Sequence, residues 1–345
     1  MLSYSQENDS IIKKSFFIIP MASYQEETNL ALGIVGGHYF ESTDLEKISS
    51  ISYNALYTFN NQLMIAINPR IYSKNKKIYI YADLNFKHYP NFYYGIGDVK
   101  TDIAAPYTSN LEYFNVQPQY YIGKSWLVGG NVTVRAEKLD YPDDTRNCLP
   151  SIYNKYGATG WSPYFMLGVG GVLTYNTRDN YFYPSKGIFS KITLLYYPKL
   201  IGSNYNVGFV NFDFRQYLPI YKGQIFAYQL MAECVSGKEI PFQLLPTFGG
   251  CDKMRGFLEG VYKDNLLLMA QTEYRFPIYK RFKGGLFCSI GDVFNTNNMK
   301  YDRLKIGYGG GLRYRLNDAR LHLRLDYGIT NYKETGFYIT ATEAF

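Results

Sequence analysis

Residues that could carry out catalysis are few in this chain of 345 residues. Its three histidines are His38, His88 and His322, and only His322 shares a strand face with a nearby acid, Asp326. A Ser–His–Asp triad also needs a serine beside the histidine, and none can be identified. The sequence therefore predicts that the protein is not an enzyme, and that His322 and Asp326 belong to an internal polar network.

Metal and redox chemistry have equally little support. The four cysteines are Cys148, Cys234, Cys251 and Cys288. None has the C-x-x-C spacing that indicates a metal or redox site. A Cys234–Cys251 disulfide is conceivable in an oxidising compartment, and the sequence leaves it open. Asp143, Asp144 and Asp179 fit a solvated loop and a turn cap better than cation ligands, so no metal and no cofactor is expected.

The most distinctive stretch is a glycine-rich segment, Leu245–Phe257, between two strand-like runs. It is too long for a simple turn, and it contains Arg255. A guanidinium can be buried only when polar groups match its five donors. We expect the segment to fold back into the lumen of a transmembrane β-barrel, whose polar inner wall would supply those groups. An exposed loop with an incidental arginine is the alternative.

Composition favours such a barrel. The chain has 37 tyrosines and 23 phenylalanines, and aromatic residues make up 18% of it. Aromatic rings with a polar tip are typical of the two membrane–water interfaces of a barrel. The mean hydropathy is −0.24, and no apolar run reaches the roughly 18 residues that a spanning helix needs. A barrel hides its membrane signal because lipid-facing and lumen-facing residues alternate.

The net charge of +7 is spread along the sequence without clusters. This distribution argues against a nucleic-acid partner. It is consistent with a basic lumen and with attraction to anionic lipid headgroups.

The elements that must position Arg255 are strands of membrane-crossing length. About 16 runs can be counted, at roughly 21 residues per strand plus connection. Their approximate bounds are 15–24, 29–41, 49–59, 62–72, 77–88, 111–122, 125–138, 162–177, 187–198, 205–218, 224–236, 265–277, 282–294, 305–316, 321–330 and 336–345. Helical periodicity is absent, and no second domain is visible.

Alternation is clear in the runs Ile78–Phe86, Val210–Arg215 and Leu321–Tyr327. Apolar residues occupy one face of each run, and polar residues occupy the other. The pattern alone does not show which face is inside, because a water-soluble sandwich alternates as well.

Connection lengths favour the barrel over the sandwich. The long connections 89–110, 139–161 and 237–264 all follow odd-numbered runs, whereas short ones such as 219–223 and 277–281 follow even-numbered runs. Outer-membrane barrels have short periplasmic turns and long external loops, so this parity is what they predict.

With these motifs the sequence resembles the BamA/TamA-like outer-membrane assembly barrels, also called bacterial surface antigens. The segment from Gly249 and Gly250 to Met254, Arg255, Gly256 and Phe257 is similar to the lumenal-loop signature of that family. Further matches are Asn176–Asn180 with Pro184 and Gly187, Glu273–Pro277, Gly309–Tyr314 and the terminal Phe345.

The resemblance implies an all-β fold, a 16-stranded antiparallel transmembrane β-barrel with the long loop folded into the lumen. Residues 15–345 would form this single domain after a short N-terminal segment, 1–14. Arg255 would contact Glu273 on the inner wall. Ser289 stands where the family usually has an aspartate, and Asp292 has the wrong parity to replace it. We therefore expect Glu273 and Ser289 to line the dock and one ionic partner of Arg255 to be lost.

The resemblance also implies a bacterial outer-membrane location, with the signal peptide removed, and a role in outer-membrane protein insertion or assembly. The first run begins at about residue 15, which leaves no room for the POTRA domains that family members carry before the barrel. Expected partners are outer-membrane lipids and lipopolysaccharide, client β-barrel polypeptides and other assembly subunits. A seam would form between the first and last strands, with Gly336, Phe337, Ile339 and Phe345 on its second lip. The alternatives are a non-catalytic accessory subunit of a larger complex and a loop-plugged secretion pore.

Overall fold

A computed structural model of the protein describes residues 15–25, 29–40, 47–101, 104–301, 303–317, 320–340 and 343–345. The expected N-terminal segment 1–14 lies outside them. One sheet of sixteen strands in sequence order, with every neighbouring pair antiparallel, makes up the fold. The predicted all-β, 16-stranded barrel fold is confirmed. Within the described residues no helix is long and apolar enough to cross a membrane.

Strand bounds agree with the sequence-based runs to within a few residues at most ends. The strands are β1 (Ser15–Gln25), β2 (Asn29–Tyr39), β3 (Ser50–Thr58), β4 (Leu63–Tyr72), β5 (Ile78–Tyr93), β6 (Ala105–Ile122), β7 (Trp126–Asp140), β8 (Tyr164–Asn176), β9 (Gly187–Tyr197), β10 (Val207–Pro219), β11 (Ile225–Gly237), β12 (Leu266–Tyr279), β13 (Phe282–Phe294), β14 (Lys305–Arg315), β15 (His322–Thr330) and β16 (Thr335–Thr340). β5 and β6 are longer than predicted because their ladder continues to the pair Tyr93–Ala105. β16 is shorter than predicted.

The polar face of the alternating strands points into the lumen. In β15, Arg324 and Asp326 are fully buried on one face, whereas Tyr327 on the opposite face is exposed. In β10, Asp213 is buried and Val210 is exposed. Apolar side chains outside and charged side chains inside are the arrangement of a membrane barrel, the reverse of a water-soluble sandwich.

The sheet is not joined into a closed ladder. β1 and β16 lie beside each other, but within the described residues no backbone pairing connects them. Every other neighbouring pair of strands is hydrogen-bonded. We call the junction of β1 and β16 the seam.

At the long-loop end, an aromatic cluster covers the lumen. Trp161 and Phe242, from the connections β7–β8 and β11–β12, pack against Tyr93 and Tyr107 at ring-centroid distances of 4.9–6.0 Å. This packing explains why β5 and β6 extend so far, because their ends supply the rings under the cover.

The cover also contains a helix that the sequence analysis did not predict. Helix α1 (Asp143–Tyr156) fills most of the β7–β8 connection, and two short 3₁₀ helices span Lys199–Ile201 and Phe242–Leu244. The first turn of α1 is acidic, and the positive end of a helix dipole favours acidic residues there. An internal Pro150 and few apolar residues conceal it in the sequence.

At the short-turn end, the β8–β9 connection reaches across the mouth of the lumen. We call residues 177–186 the crossbar. On the far side of the seam, its Asp179 accepts a 2.9 Å hydrogen bond from Arg320 in the β14–β15 turn. Tyr183 lies with its ring centroid 4.2 Å from that of His322 in β15.

On the near side of the seam, the crossbar contacts the first strands. Phe182 packs edge-on against Tyr39 of β2, with ring centroids 5.6 Å apart. The Arg70 guanidinium of β4 lies 3.8 Å from the ring centroid of Tyr181. The crossbar thus connects strands from both sides of the seam.

Acid should release the crossbar. Burial opposes the ionisation of Asp179, but hydrogen bonds from Ser185, Lys186 and Arg320 hold its pKa below its ordinary value. Its stabilisation is therefore complete above the ordinary aspartate pKa of about 3.9 and is lost as the pH falls through the lower, folded value. We expect Asp179→Asn to reduce the free energy of unfolding by about 1–3 kcal/mol at neutral pH, measured by urea unfolding in lipid vesicles.

The difference between wild type and Asp179→Asn should vanish at a pH below the folded pKa of Asp179, where the wild-type side chain is also neutral. Glu239→Gln, at an exposed position of the β11–β12 connection, is the control and should leave stability unchanged at every pH. A pH-independent loss for Asp179→Asn would contradict the assignment.

Candidate functional site

The β11–β12 connection turns back into the lumen and is held there by the inner wall. We call residues 245–264 the lumenal loop. Lys253 donates a 2.7 Å hydrogen bond to Glu233 of β11, and Gln271 of β12 donates to the carbonyl oxygen of Asp252 at 2.9 Å. Arg324 of β15 donates to the carbonyl oxygen of Cys251 at 2.9 Å. Strands separated widely in the sequence therefore fix the same loop.

Arg255 is a charged residue of the loop that is almost completely buried, with 1% of its surface exposed. It donates a 2.6 Å hydrogen bond to Glu273 of β12 through Nη2 and a second to Asp326 of β15 through Nη1. The guanidinium carbon lies 3.6 Å from the ring centroid of Phe287 in β13. Two carboxylates and an aromatic face thus compensate the buried positive charge.

We call Arg255 with Glu273, Asp326 and Phe287 the dock. The dock is part of a larger buried network. Glu273 also accepts hydrogen bonds from Arg275 at 2.8 Å and from Arg313 at 3.0 Å. Arg313 donates in turn to Asp326 at 2.7 Å. Each carboxylate therefore serves more than one guanidinium, and the loss of a single partner would leave charges buried without compensation.

Backbone approach at the dock depends on two glycines. Gly256 has φ = 108°, a conformation that side chains of L-residues rarely adopt, and its N–H donates to the Tyr338 hydroxyl of β16 at 3.0 Å. Opposite it, a Cβ on Gly328 of β15 would lie 2.9 Å from the backbone of Arg255. Gly328 therefore permits the close approach of the loop to β15.

The remaining residues of the loop motif form a tight hairpin with an apolar core. Gly249 and Gly250 donate backbone hydrogen bonds to the carbonyl oxygens of Lys253 and Phe257, at 2.9 and 3.0 Å. Met254 and Phe257 are buried in one cluster with Phe248, Val261 and Tyr262. This cluster keeps Arg255 at a fixed depth.

Ser289 was expected to be an inner-wall partner of the loop, but its hydroxyl bonds elsewhere. It faces the lumen, but its hydroxyl donates to the carbonyl oxygen of Gly307 at 3.1 Å rather than contacting Arg255. The expectation that one ionic partner is lost is also wrong, because Asp326 supplies the second carboxylate from β15. Asp292 pairs with Lys305 at 2.6 Å instead.

Sequence reasoning identified Arg255 and Glu273 but missed two residues of the dock. Asp326 was noticed only beside His322, and Tyr338 was not noticed at all. Alternation does place Asp326 on the inner face. Its depth relative to the loop depends on strand register, which local patterns do not encode.

The end of the chain differs from the expected seam strand. Gly336, Phe337 and Ile339 lie in β16, and Phe337 is exposed on the outer surface. Phe345 was expected on the second lip, but it lies outside the described strand β16 and is buried against Tyr183 and Tyr217. Its carbonyl oxygen accepts a 2.9 Å hydrogen bond from Arg275, which an inward position alone permits.

The conceivable Cys234–Cys251 disulfide is absent, and both cysteines are free. Cys234 is the register partner of Val210, whose side chain is exposed on the outer wall. Cys251 belongs to the lumenal loop. The barrel wall therefore separates the two thiols.

A cavity of about 1020 Å³ adjoins the seam at the long-loop end. Its lining combines the lumenal loop, through Gly256 and Phe257, with Phe337 and Tyr338 of β16 and with the β3–β4 turn. The lining thus includes both the outward-facing Phe337 and the inward-facing Tyr338 of β16.

These features define the class: a membrane β-barrel with an arginine-bearing loop docked in its lumen and an unpaired seam. The family model of the Omp85 superfamily domain matches residues 28–345. The chain therefore belongs to the Omp85 superfamily, and it is an outer-membrane barrel of the protein-assembly and translocation type.

The fold is also similar to a solved structure, that of BamA from Haemophilus ducreyi lacking POTRA domains 1–3. The TM-score is 0.62 at 14% sequence identity, over 95% of this chain and 69% of that chain. At this identity the likeness concerns the fold alone. No curated protein sequence matches the chain.

Removal of the arginine should destabilise the barrel. Arg255→Ala leaves Glu273 and Asp326 with an uncompensated share of buried charge, and we expect a loss of about 3–5 kcal/mol in the free energy of unfolding. A double-mutant cycle with Glu273→Ala should give a coupling energy of about 1–3 kcal/mol. Urea unfolding in lipid vesicles measures both.

The exposed ion pair Lys138–Asp140 provides the matched control. The same cycle on that pair should give a coupling energy below about 1 kcal/mol. Additive effects of Arg255→Ala and Glu273→Ala would show that the two residues do not act as a pair.

Proposed function

We propose that the protein assists the insertion or assembly of other outer-membrane β-barrel proteins through its seam, and that it acts by binding strands and not by catalysis. The observation that carries the proposal is the junction of β1 and β16, which has no backbone pairing within the described residues and lies near a cavity lined in part by β16. An edge strand presents a row of unpaired N–H and C=O groups, which another strand can satisfy. In lipid that pairing is strongly favoured because water is absent.

The composition of the seam supports this proposal. β1 and β16 lie side by side over their described spans, Ser15–Gln25 and Thr335–Thr340, without a backbone ladder between those spans. A client strand adding to β1 would complete hydrogen bonds that the barrel itself leaves open.

The lumenal loop and the crossbar support a regulated seam. The loop reaches β16 through the Gly256–Tyr338 hydrogen bond, and the crossbar connects β2 and β15. Both hold the walls beside the seam without closing its ladder. Client strands would enter while these ties keep the barrel intact.

A seam-locking experiment tests the proposal. In a variant whose four cysteines are replaced by serine, Ile339→Cys in β16 is combined in turn with single cysteines at residues 16–20 of β1. The variant that crosslinks most completely is reconstituted in vesicles with an unfolded outer-membrane barrel as client. We expect acceleration of client folding by the reduced form and its loss in the oxidised form.

The control is a disulfide across a complete ladder, Ala55→Cys with Ile65→Cys, which are register partners in β3 and β4. It should leave acceleration unchanged in both redox states. If neither form of the seam variant nor the wild type accelerates client folding, alone or with co-purified partners, the insertion proposal fails. Stoichiometric co-purifying proteins would then favour the accessory-subunit alternative.

The docked loop raises the plugged pore as a second candidate. The lumenal loop fills the middle of the barrel, α1 covers one end and the crossbar spans the other. Deletion of residues 245–260 should raise single-channel conductance in planar bilayers if the loop is a plug. Conductance that stays at the wild-type value would contradict a pore gated by this loop.

A further inference from the structure

The short-turn end of the barrel carries a basic rim. The turns 73–77, 123–125, 177–186, 220–224 and 280–281 are described throughout, and they hold nine basic residues and one acid, Asp179. That acid is paired with Arg320. The basic residues with exposed side chains, which we call the rim cations, are Lys74, Lys77, Lys124, Lys186, Lys222, Lys280 and Arg281.

The opposite end is electrically balanced. The fully described long-end connections 59–62, 141–163, 198–206, 238–265 and 331–334 contain eight basic and seven acidic residues. Counted over all connections in the sequence, the short-turn end has eleven basic and five acidic residues, and the long-loop end has eleven basic and twelve acidic residues. The net positive charge of the connections therefore belongs to the short-turn end. A one-ended field of this kind favours an anionic partner at that end.

Exposed aromatic residues accompany the rim cations. Tyr221 and Tyr279 are 58% and 63% exposed, and the ammonium groups of Lys222 and Lys280 lie 4.9 and 5.0 Å from their ring centroids. Lys124 lies between two exposed apolar residues of the outer wall, Ile122 and Trp126.

The two turns with tyrosine–lysine pairs are neighbours, because β11 pairs with β12. A Cβ on Gly223 of one turn would come within 3.9 Å of Pro277, which precedes the other turn. Arg281 adds a third cation beside Lys222 and Lys280. Three positive charges and two aromatic rings therefore form one patch at the boundary between the apolar wall and the aqueous end.

We propose that this rim binds the headgroups of anionic phospholipids in the leaflet at the short-turn end. Aromatic rings at the edge of an apolar wall anchor in the interfacial layer, and long basic side chains reach the phosphates beyond it. An acidic protein would meet the cations but would leave the outward-facing Tyr221, Tyr279 and Trp126 without a role. The proposal rests on the membrane-spanning fold and not on the assembly activity.

Lipid retention tests the proposal directly. The full chain is reconstituted in nanodiscs of mostly phosphatidylethanolamine with a minority of phosphatidylglycerol, and the lipids that remain bound after release are counted by native mass spectrometry. We expect enrichment of phosphatidylglycerol over its share in the nanodisc, decreasing with added salt. The rim variant should lose about tenfold or more of that enrichment, since each cation near an anionic surface contributes several-fold. This variant combines Lys124→Gln, Lys186→Gln, Lys222→Gln, Lys280→Gln and Arg281→Gln.

The matched control removes as many exposed cations from the other end and should retain the enrichment. It combines Lys199→Gln, Lys238→Gln, Lys300→Gln, Arg303→Gln and Lys333→Gln. Should the rim variant not fold, the triple variant Lys222→Gln, Lys280→Gln and Arg281→Gln is used, with a smaller loss expected.

Equal enrichment in the rim and control variants would overturn the proposal. So would a rim variant that keeps its lipids but loses a stoichiometric acidic protein on purification. Client folding in vesicles of neutral phosphatidylcholine reports on the assembly activity separately, so either proposal can fail while the other stands.

Discussion

Burial of the Arg255 guanidinium is the constraint on which the arrangement of the lumen depends. A cation with almost no exposed surface requires carboxylates at fixed distances, and Glu273 and Asp326 provide them from strands far apart in the sheet. The same two carboxylates also compensate Arg313. The loop, the inner wall and the register of the last five strands are therefore coupled, because none can shift without exposing charge to an unfavourable environment.

Two ties connect the walls beside the seam, where the described parts of β1 and β16 share no ladder. The lumenal loop contacts β11, β12, β15 and β16, while the crossbar contacts β2, β4 and β15. Neither tie supplies hydrogen bonds to the edges of β1 and β16. The structure thus separates two tasks that a closed barrel assigns to one ladder, namely holding the wall together and satisfying the backbone of its edge strands.

Much of the fold could be predicted because a membrane barrel imposes simple periodicity. Sixteen runs, their alternation and the parity of their connections follow from bilayer thickness and two-sided solvation. The direction of the polar face could not be obtained from alternation, which is symmetric. Helix α1 escaped notice because Pro150 and a polar composition obscure its period. The inward position of Phe345 depends on contacts with Tyr183 and Arg275, which are distant in the sequence.

The dock shows the same limit more sharply. Arg255 and Glu273 could be paired by resemblance, but Asp326 could not, because its depth is set by the register of the two intervening strands, β13 and β14. The rim cations are dispersed in the sequence. The turns that carry them come together only because the sheet curves.

Placement of Asp326 in β15, instead of an acid in β13, has a consequence of its own. Arg255 is bound by Glu273 of β12 and Asp326 of β15, which lie on either side of β13 and β14. The next residue of the loop, Gly256, is hydrogen-bonded to β16. Lateral motion of the last strands would therefore displace the loop. A spectroscopic probe at Glu259, an exposed residue of the loop, would therefore report motion of the last strands without altering the edges of β1 and β16.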